Sequence, residues 1–470
     1  MNELARWHDL NMAPAELRCD VTLRNGQCFH WSVSKLNQDN EPCRWRAVLA
    51  RSVAVELWQR PEATWFRVLG CSDADWRIAL QSVTKQSEIE TGSESESEKS
   101  NESETETESE SKSEIESESE LPRIEEVRKI LALHLHADVA LTELGQDVWK
   151  STDVAPLLNP GAFQGLRLLR QEPWECLISF LVSANNNIKR IESLLTKLRE
   201  TYGTRVEVFD CLKKQSENSS EEAVKLGEIE PLVKAGQMFK FPTLAQLSAE
   251  SEETFRTMGL GYRAPRLVQT IKTVAAKGGI KWLESLRDLP ASAESRKHVR
   301  QELLALAGVG PKVADCVALF SLDRLDLSPV DTHVWQITQR RYMPLLRQRL
   351  RQTQGKKTTK LPKSVTPAVH DAVGDVFRSL YGQHAGWAQQ LLFAAELPQF
   401  KQRLVHTKRP SESVGDSSAS DTGTKPTSQS ASASDSHSRD DSELNDENAD
   451  ANEPARKRRR LRPRRVVNYR

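Results

Sequence analysis

The run LAGVGPKVADCVALF (Leu306–Phe320), followed by PVDTHVW (Pro329–Trp335), constrains this chain more than any other stretch. Gly308-Val309-Gly310 sits between two amphipathic segments, so residues 293–322 read as two helices joined by a glycine hairpin. Glycine lets the backbone turn tightly and approach a ligand. The second helix starts at Pro311, a residue suited to the first turn because it has no N–H to satisfy. The exposed N–H groups and the positive helix end form an anion site, with a nucleic-acid phosphate as its natural occupant. Gly308, Val309 and Gly310 are therefore candidate phosphate contacts. Many such hairpins only hold DNA, and a lysine placed just after one can be a simple phosphate contact.

Two side chains suit this hairpin to chemistry as well as binding. Lys312 follows it directly, and Asp331 comes nineteen residues later at the expected start of the next helix. Asp331 is placed to cap that helix, and helix N–H groups would hold its carboxylate charged. A fixed anion is what a developing positive charge at a sugar C1′ needs. Lys312 and Cys316 are four apart and share a helix face. An amine in an apolar pocket loses proton affinity, and a neutral lysine can form a Schiff base with an opened sugar. On its own, Cys316 reads equally well as a small buried hydrophobe.

The rest of the chain divides by composition. Residues 18–72 are rich in Val, Trp and Phe and read as antiparallel strands, with a turn at Asn25-Gly26. Residues 86–121 hold fourteen Glu against two Lys, a Ser/Glu repeat that is expected to be a disordered insertion. From Pro122 onward, apolar residues recur at spacings of three and four, as in IKRIESLLTKLRETYG and AVGDVFRSLYG. Polar interruptions near 212–230 and 347–366 read as surface insertions. The expectation is an α+β fold, mostly α. An N-terminal antiparallel sheet domain spans 14–150 and a helical domain 151–406. A disordered tail, 407–470, closes the chain.

Lys+Arg and Asp+Glu balance at 66 each, which hides the acidic insertion and a basic end. Residues 456–470 hold nine basic residues and no acid. The cluster 456–465 reads as a nuclear-localisation segment that engages an import receptor, and a nuclear location is expected. A mitochondrial pool is left open. The seven cysteines show no CxxC and no zinc spacing, so no metal and no cofactor is expected. No apolar run is long enough for a membrane span. The N-terminus carries Glu3, Asp9, Glu16 and Asp20, unlike a secretory or transit leader.

Longer motifs carry a resemblance: LRNGQCFHW, FQGLRLLRQEPWECLISFLVSANNNIKRI, FPTLAQL, GLGYRAPR and LYGQHAGWAQQLLFAAEL. Over about residues 14–85 and 122–400, insertions apart, the chain resembles the eukaryotic-type 8-oxoguanine DNA glycosylase/AP lyases of the helix–hairpin–helix GPD superfamily. The resemblance implies excision of 8-oxoguanine opposite cytosine, followed by strand nicking through β-elimination. It makes Lys312 the Schiff-base nucleophile and Asp331 the acid that stabilises the sugar cation. Gly26 matches the position whose carbonyl accepts the N7 hydrogen of 8-oxoguanine. Gln389 matches the reader of the base's Watson–Crick edge, and Phe393 and Cys316 match its sandwich. Asn185, Arg190, Tyr262 and Arg263 match positions at the estranged cytosine, with Tyr262 as the wedge. For Arg190 and Arg263, plain phosphate binding is the alternative. His333 matches a phosphate contact, with a core histidine as the alternative.

Pro311 stands where the family more often has a polar residue, and the acidic insertion is unusual. The implied partner is double-stranded DNA carrying the lesion, bound by a monomer. An endonuclease III-like glycosylase for oxidised pyrimidines shares the Lys and Asp spacing. It typically carries an iron–sulfur cluster after the core, and no cysteine follows Cys316 here. A noncatalytic DNA-binding protein would leave the joint presence of Lys312, Asp331, Gln389 and Gly26 without a reason.

Overall fold

The β-rich N-terminal segment forms one antiparallel sheet from β1 (His8–Asp9), β2 (Ser32–Leu36), β3 (Pro42–Leu49), β4 (Val53–Gln59) and β5 (Thr64–Cys71). Its strand order is β1-β5-β4-β3-β2. The computed structural model describes residues 3–36, 42–72, 77, 122–144, 149–150, 152–158, 162–209, 238–354 and 364–400. The acidic insertion, the 212–230 insertion, the tail and its basic segment lie outside the described residues.

The period-two pattern decides what each sheet face buries. Trp45, Val55, Leu57 and Phe66 share a core with Val127, Ile130 and Leu131 of α1 (Ile124–His134). Ala54 and Leu69, on the other face, pack with Val206 and Val208. These sit beside the short pair β6 (Arg205–Val206) and β7 (Met238–Phe239). Glu56 is buried there between Arg46 and Arg67. Burial opposes its ionisation, but the two guanidiniums outweigh that and hold its carboxyl below the usual range.

Asn25-Gly26 does not close a strand hairpin. Residues 19–22 form a helical turn, and regular strand begins only at Ser32. The loop between is held by amide side chains reaching backbone far away. Gln27 donates from Nε2 to the carbonyls of Thr22 (2.8 Å) and Arg167 (2.9 Å), and its Oε1 accepts from the N–H of Leu169 (2.9 Å). Gln171 donates to the Gln27 carbonyl (2.7 Å). The loop's polar groups are thus satisfied by the helical part and not by a ladder.

The longer helices are α2 (Pro173–Ser183), α3 (Ile188–Tyr202), α4 (Ala264–Ala276), α5 (Ile280–Arg287), α6 (Ala293–Leu304), α7 (Pro311–Ser321), α8 (Thr332–Arg341), α9 (Met343–Gln354), α10 (Pro367–Tyr381) and α11 (Ala385–Glu396). Together with the sheet they make a mostly helical α+β fold. α2 and α7 are buried on nearly every side, and Phe180 of α2 stacks on Phe320 of α7 with centroids 5.7 Å apart. The expected insertion at 347–366 begins instead as helix. Leu346 and Leu350, one turn apart, bury one face of α9. Residues 355–363 lie outside the described set.

Candidate active site

The hairpin has the geometry its glycines allow. Gly308 has φ of +81°, where an L side chain is strained. A Cβ there would also meet the Arg266 side chain at 2.8 Å. Gly310 is the N-cap residue of α7 and Pro311 its first residue. This leaves the first-turn N–H groups open beyond the hairpin.

Lys312 is half-buried one residue into α7, with Nζ 5.1 Å above the Phe180 ring. That aromatic floor holds a cation through its negative π-face and packs the aliphatic stem. Cys316, one turn on, is buried. Burial pushes its thiol up to about 11; Lys312, hydrogen-bonded to it, pulls the value down, and Asp331 pushes it up. The lysine is thus beside this sulfur, and the charge of the aspartate reaches it. Asp331 caps α8 as expected, with Oδ1 accepting the N–H of Val334 (2.9 Å). The cap uses one carboxylate oxygen.

The four base-pocket candidates are placed by α7, α11 and the 23–31 loop. Gly26 has φ of +87°, and a Cβ there would lie 3.6 Å from Phe393 Cε1 and 3.8 Å from Ile188 Cδ1. A Cβ would make ordinary contact with the phenyl ring, so it is the positive φ that favours glycine here. Gln389 and Phe393 are one turn apart on α11. Gln389 is only 3% exposed, and its buried Oε1 has no hydrogen-bond partner. The adjacent Gln390 donates to the Asn25 carbonyl (3.4 Å), tying α11 to the Gly26 loop. His333 is exposed on α8, edge-on to Phe393 at 5.9 Å. It stands on the surface beside Phe393 and not in the core.

Asn185, Arg190, Tyr262 and Arg263 form a second group. Asn185 is exposed, with φ of +50°. The Ala184 carbonyl accepts from Tyr262 Oη and Arg263 Nε, both at 2.9 Å. Arg263 Nη2 donates to the Asn185 carbonyl (2.9 Å). Tyr262 is 46% exposed, as a wedge must be, but Arg263 is 8% exposed and stacks on it at 4.5 Å. Most of the Arg263 fork is thus spent on shaping the Ala184–Asn185 bend, and Nη1 remains. Arg190 is exposed and donates to the Gly259 carbonyl (3.2 Å).

Two contributors escape sequence reasoning because the chain separation is long. Phe180 is aromatic core by pattern, and only the fold puts it under Lys312. Arg266 packs against Gly308 and lies 5.5 Å over the Tyr262 ring. It joins the hairpin to the second group and has no carboxylate partner among the described residues.

Among the described residues no cluster of three His, Cys, Asp or Glu is placed to hold a metal. No helix there is long and apolar enough to cross a membrane. A separate cavity of about 130 Å³, lined by His30, His134, Arg170, Trp174, Glu175 and Lys240 among others, includes none of the catalytic candidates.

A glycine hairpin feeding a lysine, with an aspartate capping the next helix, is the arrangement the resemblance to helix–hairpin–helix glycosylases implies. Residues 9–177 match the model of the 8-oxoguanine DNA glycosylase N-terminal domain. The chain is 40% identical over 287 residues to the N-glycosylase/DNA lyase OGG1 of Arabidopsis thaliana, covering 60% of this chain and 66% of the plant protein. It is 32% identical over 275 residues to the N-glycosylase/DNA lyase of Saccharomyces cerevisiae, covering 57% of this chain and 66% of the yeast protein. The 8-oxoguanine glycosylase/lyase of Clostridium acetobutylicum shares the fold at a TM-score of 0.51 and 21% identity, over 82% of this chain and 94% of that one. The chain is similar to the 8-oxoguanine DNA glycosylases, and its residues 9–177 carry their N-terminal domain. The matches span just under two thirds of the plant and yeast relatives' own length.

Proposed function

We propose that this protein is a bifunctional base-excision enzyme that extrudes 8-oxoguanine opposite cytosine from duplex DNA, excises it and nicks the strand. The observation that carries the reading is the joint placement of Lys312 over the Phe180 ring at the start of α7, Asp331 fixed as the cap of α8, and a buried, unpartnered Gln389 oxygen on α11. A buried acceptor left without a partner in the free protein is suited to a donor brought by a base edge. The relatives named N-glycosylase/DNA lyase support both activities. A Clostridium acetobutylicum relative of the same fold has been crystallised with double-stranded DNA containing cytosine opposite 8-oxoG.

Lys312, as the free amine, attacks C1′, and the N-glycosidic bond breaks with its electron pair leaving on the base. Asp331 stabilises the positive charge that grows on the sugar. Ring opening gives the imine between Lys312 and C1′. Loss of a C2′ proton then expels the 3′ phosphate and cuts the strand. Gly26, with its open α-carbon, lets the backbone carbonyl meet the N7 hydrogen that distinguishes 8-oxoguanine from guanine. Phe393 and Cys316 flank the base. Gly308, Val309, Gly310 and His333 hold phosphates, while Tyr262 fills the gap and Asn185, Arg190 and Arg263 meet the cytosine. The enzyme acts as a monomer and enters the nucleus through its basic segment at 456–465.

Borohydride trapping tests the reading. A covalent adduct is expected on a duplex with 8-oxoguanine opposite cytosine, and it should vanish in Lys312→Gln while the damaged duplex still binds. Trapping on thymine glycol alone would make the protein a pyrimidine-specific enzyme. No adduct and no base release from any duplex would leave only a DNA-binding role.

A further inference from the structure

Lys312 and Asp331 sit on different elements, α7 and the start of α8, joined by the 322–330 segment. Their spacing therefore depends on how that segment ends. Val330, the last residue before Asp331, is buried, so its N–H needs a partner. No backbone carbonyl supplies one. The acceptor is Nε2 of His370 on α10, at 3.4 Å. With Nε2 accepting, the neutral ring carries its proton on Nδ1, toward Asp371 Oδ1 at 3.9 Å, and Nε2 packs 3.5 Å from Oδ2 of Asp315 on α7, the residue beside Cys316, without donating to it. Arg300 of α6 completes the frame, 2.7 Å from Asp315 Oδ1 and 2.9 Å from Asp371 Oδ1. His370 and Asp315 are each 3% exposed.

We infer that His370 is a positioning residue that fixes the Val330–Asp331 segment against α7 and so sets the distance between Asp331 and Lys312. Stability alone does not account for it. A buried polar and charged cluster of this kind is often no more stabilising than well-packed apolar residues of similar volume. What an apolar set cannot provide is a directional bond to the backbone next to Asp331. His370 acts through Asp331, and it touches neither the base pocket nor the hairpin.

This inference rests on the glycosylase reading, so wild type and Lys312→Gln are run beside the test. Single-turnover excision from the 8-oxoguanine·cytosine duplex is measured for His370→Leu, His370→Gln and His370→Asn. Binding to a duplex with an uncleavable abasic analogue is measured in parallel. A catalytic group misplaced by about 1 Å can cost roughly a hundredfold in rate. His370→Leu is expected to lose about that much with binding unchanged. Gln carries its amide end near the Nε2 position and should restore most of the rate, whereas the shorter Asn should not. In an Asp331→Asn background, His370→Leu should cause no further loss, because the group it positions is already gone.

Wild-type rates in His370→Leu, or equal rates in the Gln and Asn variants, would overturn the inference. If His370→Leu does not fold, the Gln and Asn pair still decides. A further drop in the Asp331→Asn background equal to that in wild type would reduce His370 to a general packing residue. Wild type that forms no adduct would instead overturn the glycosylase reading.

Discussion

Gln389→Met separates what the base pocket does for stability from what it does for recognition. The Gln389 side chain is almost fully buried, and its Oε1 lacks a partner in the free protein. An unsatisfied buried acceptor costs about 1–3 kcal/mol. Methionine is near-isosteric and flexible, so its own misfit should stay below about 1 kcal/mol. The substitution should therefore stabilise the free protein by roughly 1–2 kcal/mol. That corresponds to a rise in Tm of about 2–4 °C per kcal/mol for a domain of this size class. Recognition should move the other way. Each hydrogen bond lost to the base edge is worth about 1 kcal/mol, so kcat/KM on the 8-oxoguanine·cytosine duplex should fall at least about fivefold. Urea unfolding and steady-state excision on the same preparations read both effects. A Gln389→Met variant less stable than wild type by more than about 1 kcal/mol would refute the reasoning, because Oε1 would then be bonded in solution. Higher stability with unchanged excision would remove Gln389 from base recognition.

Asp331→Asn keeps a competent helix cap, so stability should change by less than about 0.5 kcal/mol, while excision should slow on the order of a hundred- to a thousandfold. A preserved rate with lost stability would make Asp331 a cap alone. Arg266→Ala should weaken binding to all duplexes alike and reduce the slope of log K against log salt by about one; an unchanged slope would show that Arg266 meets no phosphate. Glu175 on α2 is held by Arg199, with His30 Nδ1 at 3.6 Å. Burial opposes its ionisation, but these partners win and hold the carboxyl down at about 2. A depressed carboxyl contributes stability above its unfolded value of about 4.3, and that contribution fades as pH falls toward the folded value. Wild type should thus lose more stability between pH 5 and pH 3 than Glu175→Gln; equal losses in urea unfolding would contradict this.

The parts of the fold legible in the sequence are those set by local chemistry. Gly308, Pro311 and the capping Asp331 act within a few residues of chain, and the structure places each where its residue type requires. The amphipathic helices were equally plain, since their spacing is a property of the segment itself. Asn25-Gly26 shows where local reasoning ends. The pair is a strong hairpin signal, yet the side chains of Gln27 and Gln171 bind its loop to chain 140 or more positions away. The start of α9 was misread for a related reason: two leucines in a basic run suffice to seat a helix when a neighbour is there to cover them. Arg263 looked like a free fork in the sequence. Its burial depends on the Ala184–Asn185 bend, which no nearby residue announces.

The same long-range contacts divide the molecule's labour. Tyr262 and Arg263 lead into α4, Arg266 lies in its first turn, and Thr270 on that helix donates to the Ala307 carbonyl at 2.8 Å just before the hairpin. Tyr262, the proposed wedge, and the Gly308 hairpin, the proposed phosphate site, are thus mounted on one strut. A displacement of one must carry the other, so the grip on the lesion strand and the proposed contact with the opposite cytosine are set together. Asp331 stands outside that body, at the end of a segment whose last N–H, that of Val330, is met by a side chain of α10. Substitutions along α4 should accordingly alter binding and opposite-base preference together, and substitutions around His370 should alter the rate of chemistry on DNA already bound.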